Sequence, residues 1–115
     1  MSATISTIST DLRETGAVLV LGGDLDVRST AELRNALYEH LRVHGSYTDG
    51  RVLVDISEVT SVDATALKVV AAASRRARRR GGSVVLRGAC PAVRRMLHLT
   101  HLIRLVELER EPIPA

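Results

Sequence analysis

The sequence predicts a single α/β domain: a mixed β-sheet of four to five strands with three to four helices packed mainly on one face. Three observations carry that prediction. Short β-prone apolar runs, at Ala17–Leu21, Val52–Val54 and Val84–Leu86, alternate along the chain with segments whose apolar residues recur at helical spacing. Glycine-bearing breaks at Gly22–Gly23, Gly45–Gly50 and Gly81–Gly82 punctuate that alternation. The length, 115 residues, suits one domain with one core, since at this size roughly 65% of the unfolded chain's surface can be buried.

Ile5–Leu12 alternates weakly between apolar and polar residues and is expected to add an edge strand. Ala17–Leu21 reads as a buried strand closed by Gly22-Gly23. Asp24-Leu25-Asp26 then leads into a helix. Ser29 and Glu32 have the spacing of a capping box, and Leu33, Ala36, Leu37, His40 and Leu41 follow as one apolar stripe. Arg51–Ile56 holds the next strand, with a short loop expected over Glu58–Val62. Asp63 stands at an N-cap position, and 64–80 is unbroken helix until Gly81-Gly82. Ser83–Arg87 is a third strand. Pro91 opens another helix at the position where its missing N–H costs nothing, with Val93, Met96 and Leu97 as its apolar face. Ile103–Leu108 reads as a last extended segment. The expected domain is 1–110, with 111–115, bearing Pro112 and Pro114, as an unstructured tail.

Composition removes several function classes. The longest apolar run, Val69–Ala73, is too short for a bilayer span, and the first residues lack the basic and apolar regions of a signal peptide, so a cytoplasmic address is expected. A single cysteine, Cys90, forms no internal disulfide and suggests no cysteine-ligated metal. It precedes a helix start and is read as structural rather than redox-active. With no Trp or Phe and two Tyr, the core must be aliphatic, and base-stacking nucleic-acid modules are disfavoured. His40, His44, His98 and His101 pair at helical spacings without a third ligand and are read as helix-surface residues. No nucleophile elbow, phosphate loop or histidine accompanies the carboxylates, so no enzyme and no cofactor are expected. The net charge is +3, yet Lys68, Arg75, Arg76, Arg78, Arg79 and Arg80 place +6 on one helix and leave −3 for the rest of the chain.

Gly23-Asp24-Leu25-Asp26 follows a strand; Val54–Thr60 is a strand and loop before a helix; Ser61-Val62-Asp63-Ala64-Thr65-Ala66-Leu67 opens that helix; Arg79–Gly82 and Pro91–Leu97 follow in order. Together they resemble, over nearly the whole chain, the STAS domain, the fold of bacterial anti-sigma factor antagonists. The 61–67 segment falls on the family signature, where relatives carry an apolar pair and then Asp-Ser-Ser/Thr-Gly-Leu.

The resemblance implies a binding switch. Family members bind an anti-sigma factor that is also a serine/threonine kinase, freeing a sigma factor; the kinase then phosphorylates the first hydroxyl residue after the signature Asp, and a phosphatase restores it. A helix first turn accepts the added charge without melting, whereas about −1.5 to −2 charges on a docking face repel the partner. This chain departs from the pattern at that position, where it has Ala64. Thr65 is the one hydroxyl left in the first turn and the candidate acceptor. At about 100° per residue, Leu67, Val70, Ser74 and Ala77 face the sheet, while Ala64, Thr65, Lys68, Ala72, Arg75 and Arg79 face solvent. Lys68, three residues beyond Thr65, is placed to pair with a phosphate there.

The expected partner-binding residues are Asp24, Asp26, Asp63, Thr65, Lys68 and Ala72. Asp63 caps a helix without any partner, and Asp26 also suits a simple turn. The Arg75–Arg80 run complements the helix C-terminus and is read as structural or partner-docking, with no direct nucleic-acid or membrane partner expected. The alternative is a phosphorylation-independent STAS accessory subunit of a transporter or signalling assembly.

Overall fold

The β-branched and leucine-rich runs form the strands of one sheet, and the segments between them fold as helices against it. The computed structural model describes residues 4–5, 9–10, 17–44 and 51–109, with side chains for 18–43 and 51–109. The tail 111–115, Gly45–Gly50 and the remainder of Ile5–Leu12 lie outside the described residues. The elements are β1 (Thr4–Ile5), β2 (Ser9–Thr10), β3 (Ala17–Leu25), α1 (Thr30–His44), β4 (Arg51–Val62), α2 (Ala64–Arg79), β5 (Ser83–Arg87), α3 (Pro91–Leu99) and β6 (Glu107–Leu108). The sheet order is β1-β3-β4-β5-β6, with β2 also on β3. β3 through β6 are parallel, and β1 and β2 run antiparallel along the free edge of β3, so the sheet is mixed as expected.

β4 alternates along Val52, Val54 and Ile56, all buried, with Leu53 and Asp55 half-buried between them. The core is aliphatic: Leu19, Leu21, Leu33, Leu37, Val54, Val84, Val93 and Leu97 are nearly inaccessible to solvent. Each such leucine contributes roughly 1.5–3 kcal/mol relative to an exposed one. On α2, Leu67, Val70, Ser74 and Ala77 are buried, and Ala64, Thr65, Lys68, Arg75 and Arg79 are exposed, as helical geometry predicts; Ala72, expected to face solvent, is half-buried.

Four local readings are corrected. The capping box lies three residues earlier than Ser29–Glu32. Ser29 Oγ accepts from the Asp26 N–H at 3.0 Å, and Asp26 Oδ1 accepts from the Arg28 N–H at 2.9 Å, closing a 3₁₀ turn over Val27–Ser29 ahead of α1. Ser29, 2% exposed, is therefore committed to the turn and is not the cap of α1.

The expected loop at Glu58–Val62 is instead strand. β4 continues to Val62 by carrying two extra residues relative to β3, one near Ile56–Ser57 and one at Thr60. Each bulge is held by an aspartate. Ser57 donates its N–H and Oγ to Asp55 Oδ1 at 2.8 and 2.6 Å, and Thr60 Oγ1 and Ser61 Oγ both donate to Asp24 Oδ1 at 2.7 Å.

His40 is not a surface residue. It is fully buried on α1, and its Nε2 donates to the Leu53 carbonyl at 2.9 Å. That bond satisfies Nε2 of a polar ring inside an aliphatic core, while the buried Nδ1 has no hydrogen-bond partner among the described residues. His98 and His101 are exposed, and His44 has no described side chain.

Ile103–Leu108 is extended only at Glu107–Leu108. His101 adopts a left-handed φ of 61° after α3, and Leu102–Arg104 forms a second 3₁₀ turn. Ser74 Oγ donates to the Leu105 carbonyl and fixes that turn against α2. The Arg51–Glu107 and Arg87–Glu109 ion pairs then bind the final segment to the sheet. No helix among the described residues is long and apolar enough to cross a membrane.

Candidate functional site

The parallel strands β3 and β4 end side by side, Leu25 opposite Val62, so the turn after β3 and the N-terminus of α2 emerge together. Asp63 joins them. Its N–H donates to the Leu25 carbonyl at 3.0 Å, Oδ1 accepts from the Ala66 N–H at 2.8 Å and Oδ2 accepts from the Val27 N–H at 3.1 Å. One carboxylate thus satisfies an orphan donor of α2 and a donor of the neighbouring turn.

The other two acids are also committed. Asp24 holds the Thr60–Ser61 bulge, and hydrogen bonds from Ser61 and then Thr60 keep its carboxyl below the usual carboxylate range. Asp26 is bonded to the Arg28 side chain and backbone N–H, which lower its pKa, and the same contact raises that of Arg28. The Arg28 Nη2 to Asp26 Oδ2 distance is 2.7 Å. The three aspartates therefore frame the site, their oxygens bonded to the bulge, the turn and the helix cap.

The surface they frame consists of Ala64, Thr65 and Lys68 on the first turns of α2, with Val27 beside them. Ala72, half-buried, continues the stripe two turns along. Val27 is 63% exposed, an unusual position for a β-branched apolar side chain on a turn pinned by two aspartates. The Thr65 hydroxyl makes no intramolecular hydrogen bond among the described residues, and Lys68 makes no ion pair. Chemically, this places an accessible hydroxyl at the positive end of a 16-residue helix with an ammonium one turn away. Among the described residues no three His, Cys, Asp or Glu side chains converge to hold a metal ion.

Sequence reasoning brought Asp24, Asp26, Asp63, Thr65 and Lys68 to this end of the fold, and the structure places them there. It missed Val27 and Arg28. Arg28, two residues beyond Asp26, was a readable local ion pair. Val27 carried no signal of its own, because only the three-dimensional turn shows that it points outward.

A four-strand parallel sheet with three helices and a capped, exposed helix N-terminus defines the STAS fold. The family model described as "Mlab, STAS domain" matches residues 8–107, and the chain belongs to that family. An anti-sigma factor antagonist from Mycobacterium paratuberculosis is similar at 22% identity and a TM-score of 0.74, covering 96% of this chain and 87% of its own. The unphosphorylated form of the anti-sigma factor antagonist SpoIIAA superimposes with a TM-score of 0.61 at 12% identity, over 96% of this chain and 90% of its own. SLC26A9 matches at 14% identity and a TM-score of 0.61, over 76% of this chain and 16% of its own. At such identities the likeness is one of fold. Comparison with curated protein sequences gave no match.

Proposed function

We propose that this chain is an anti-sigma factor antagonist that docks its partner, an anti-sigma factor with serine/threonine kinase activity, through Val27, Ala64, Thr65 and Lys68. The observation that carries the reading is the exposed α2 N-terminus, where an apolar side chain, a hydroxyl and a cation, the latter two without a partner among the described residues, stand on a frame held by Asp24, Asp26 and Asp63. The fold neighbours that are anti-sigma factor antagonists support it. Ala64 cannot accept phosphate, so regulation by the kinase passes to Thr65. A phosphate there meets the helix N-terminus and Lys68, which leaves the fold intact and changes the docking face.

Incubation with the anti-sigma kinase and ATP, followed by mass-spectrometric mapping, tests the regulatory half of this reading. Modification of Thr65 with loss of the complex supports it, and a complex indifferent to ATP with no phosphate on Thr65 removes it.

A second reading has its own support. Ala64 and the fold match to part of SLC26A9 favour a phosphorylation-independent STAS accessory subunit of a transporter or signalling assembly. In that case a transporter component, not an anti-sigma factor, binds the same face, and ATP has no effect on the complex.

A further inference from the structure

The basic end of α2 does more than complement a helix terminus. α1 and α2 pack together, and an open cleft of about 630 Å³ lies between them near the C-terminal end of α2. Asn35, Tyr38, Glu39 and Arg42 line it from α1, Arg76 from α2 and Arg80 from the C-cap of α2. Its size falls within the range of small-ligand sites, about 300–1,000 Å³. It is distant from the docking face, since eleven residues separate Thr65 from Arg76 and the rise is about 1.5 Å per residue.

Three guanidinium groups reach this cleft, and two are held in place. Arg76 lies over the Tyr38 ring, 5.1 Å from its centroid. That cation–π contact anchors Arg76, which makes no ion pair among the described residues, so its N–H groups are available to a phosphate oxyanion, which a guanidinium matches in bidentate fashion. Arg42 is ion-paired to Glu39 at 2.6 Å, which neutralises the one carboxylate among the lining residues. Arg80, one turn beyond Arg76, is exposed and makes no ion pair among the described residues. The cleft therefore carries two guanidinium groups without an ion pair among the described residues, one on the last turns of α2 and one at its C-cap, and Asn35 and Tyr38, which line it from α1, are residues with neutral donors. A helix C-terminus is worth about half a negative charge, which these two cations outweigh.

We propose that this cleft is a phosphate-binding site, formed by Arg76 and Arg80 with Asn35 and Tyr38, for a phosphate-bearing small molecule or the phosphate of a lipid headgroup. A general electrostatic surface is the competing account, and the chain supplies its control. Arg75 and Arg79 carry the same two charges on the same helix, are exposed and do not line the cleft.

The test is a titration of the full chain with inorganic pyrophosphate, read by amide and arginine Nε chemical shifts. The proposal predicts saturable shifts centred on Asn35, Tyr38, Arg76 and Arg80. It further predicts that R76A/R80A weakens binding at least tenfold and R75A/R79A less than threefold. Y38F, which keeps the ring under Arg76, retains most of the affinity, and Y38L loses several-fold. Sedimentation with vesicles of phosphatidic acid in phosphatidylcholine, against phosphatidylcholine alone, distinguishes the source. Pyrophosphate binding without vesicle binding assigns the site to a free ligand; vesicle binding that R76A/R80A removes and R75A/R79A keeps assigns it to a headgroup. Absence of binding in both arms, or equal weakening by both double variants, overturns the proposal. The substituted side chains are exposed or half-buried, and circular dichroism of each variant verifies its fold.

Discussion

Removing the Asp63 carboxylate should uncouple the two turns of the docking face, and the cost can be worked from its bonds. Oδ1 caps α2 through the Ala66 N–H, and loss of such a cap costs about 1 kcal/mol, within 0.5–2. Oδ2 accepts from the Val27 N–H across 36 residues of chain. That bond adds roughly 1 kcal/mol, below the ~1.5–3 kcal/mol of a buried bond to a charged acceptor because Val27 is exposed and water replaces part of it. Asp63→Ala is therefore expected to lose about 2 kcal/mol in urea unfolding with an unchanged m-value. Asp63→Ser, whose shorter side chain reaches the Ala66 N–H but not the Val27 N–H, should lose about half as much. Asp63→Ala should also broaden or shift the amide resonances of Val27 and Arg28 beyond those of α2. A loss below about 0.5 kcal/mol, or equal losses for Ala and Ser, would refute the double-capping argument.

Gly88 has φ 77°, and an added Cβ would lie 2.7 Å from the Ser57 Cβ; Gly81 has φ 81° with open space around it. Gly88→Ala is thus expected to cost about 3 kcal/mol or more, and Gly81→Ala about 1 kcal/mol, by denaturant unfolding. His40→Ala deletes a buried ring and its bond to the Leu53 carbonyl, for an expected loss of about 3 kcal/mol in the same assay. Asp24 and Asp26 are held below the ordinary carboxylate range in the folded chain, so their contribution to stability is complete above the unfolded value near 4 and is lost as pH falls below it. Thermal unfolding followed from pH 7 to pH 3 should show that acid limb, flattened in Asp24→Asn and Asp26→Asn.

The fold was legible where one physical signal dominates. Leu33, Leu37, Leu67 and Val70 mark their helices by spacing alone, and Val52–Val54 and Val84–Leu86 mark buried parallel strands by continuous apolarity. It was illegible where a side-chain bond overrides local preference. Ser57, Thr60 and Ser61 are loop-forming by composition, yet Asp55 and Asp24 bind their hydroxyls and carry β4 onward as a bulged strand. Ser29 followed by Glu32 fits a capping box equally well on paper, and the charged Asp26–Arg28 contact decides for the earlier position. His40 sat on a predicted apolar stripe, and the bond to the Leu53 carbonyl, invisible in the sequence, accommodates a polar ring there. The candidate site follows the same pattern: its aspartates were readable as residues, but their commitment to framing the site depends on contacts 36 and 37 residues apart.

Binding of the chain to the anti-sigma factor of its own cell, measured by isothermal titration calorimetry, tests the docking account most directly. Wild type and R75A/R79A should bind with similar affinity, while Val27→Asp and Thr65→Glu, both folded, should weaken binding at least tenfold. Equal affinity for all four proteins, or no binding to any anti-sigma factor, would contradict it.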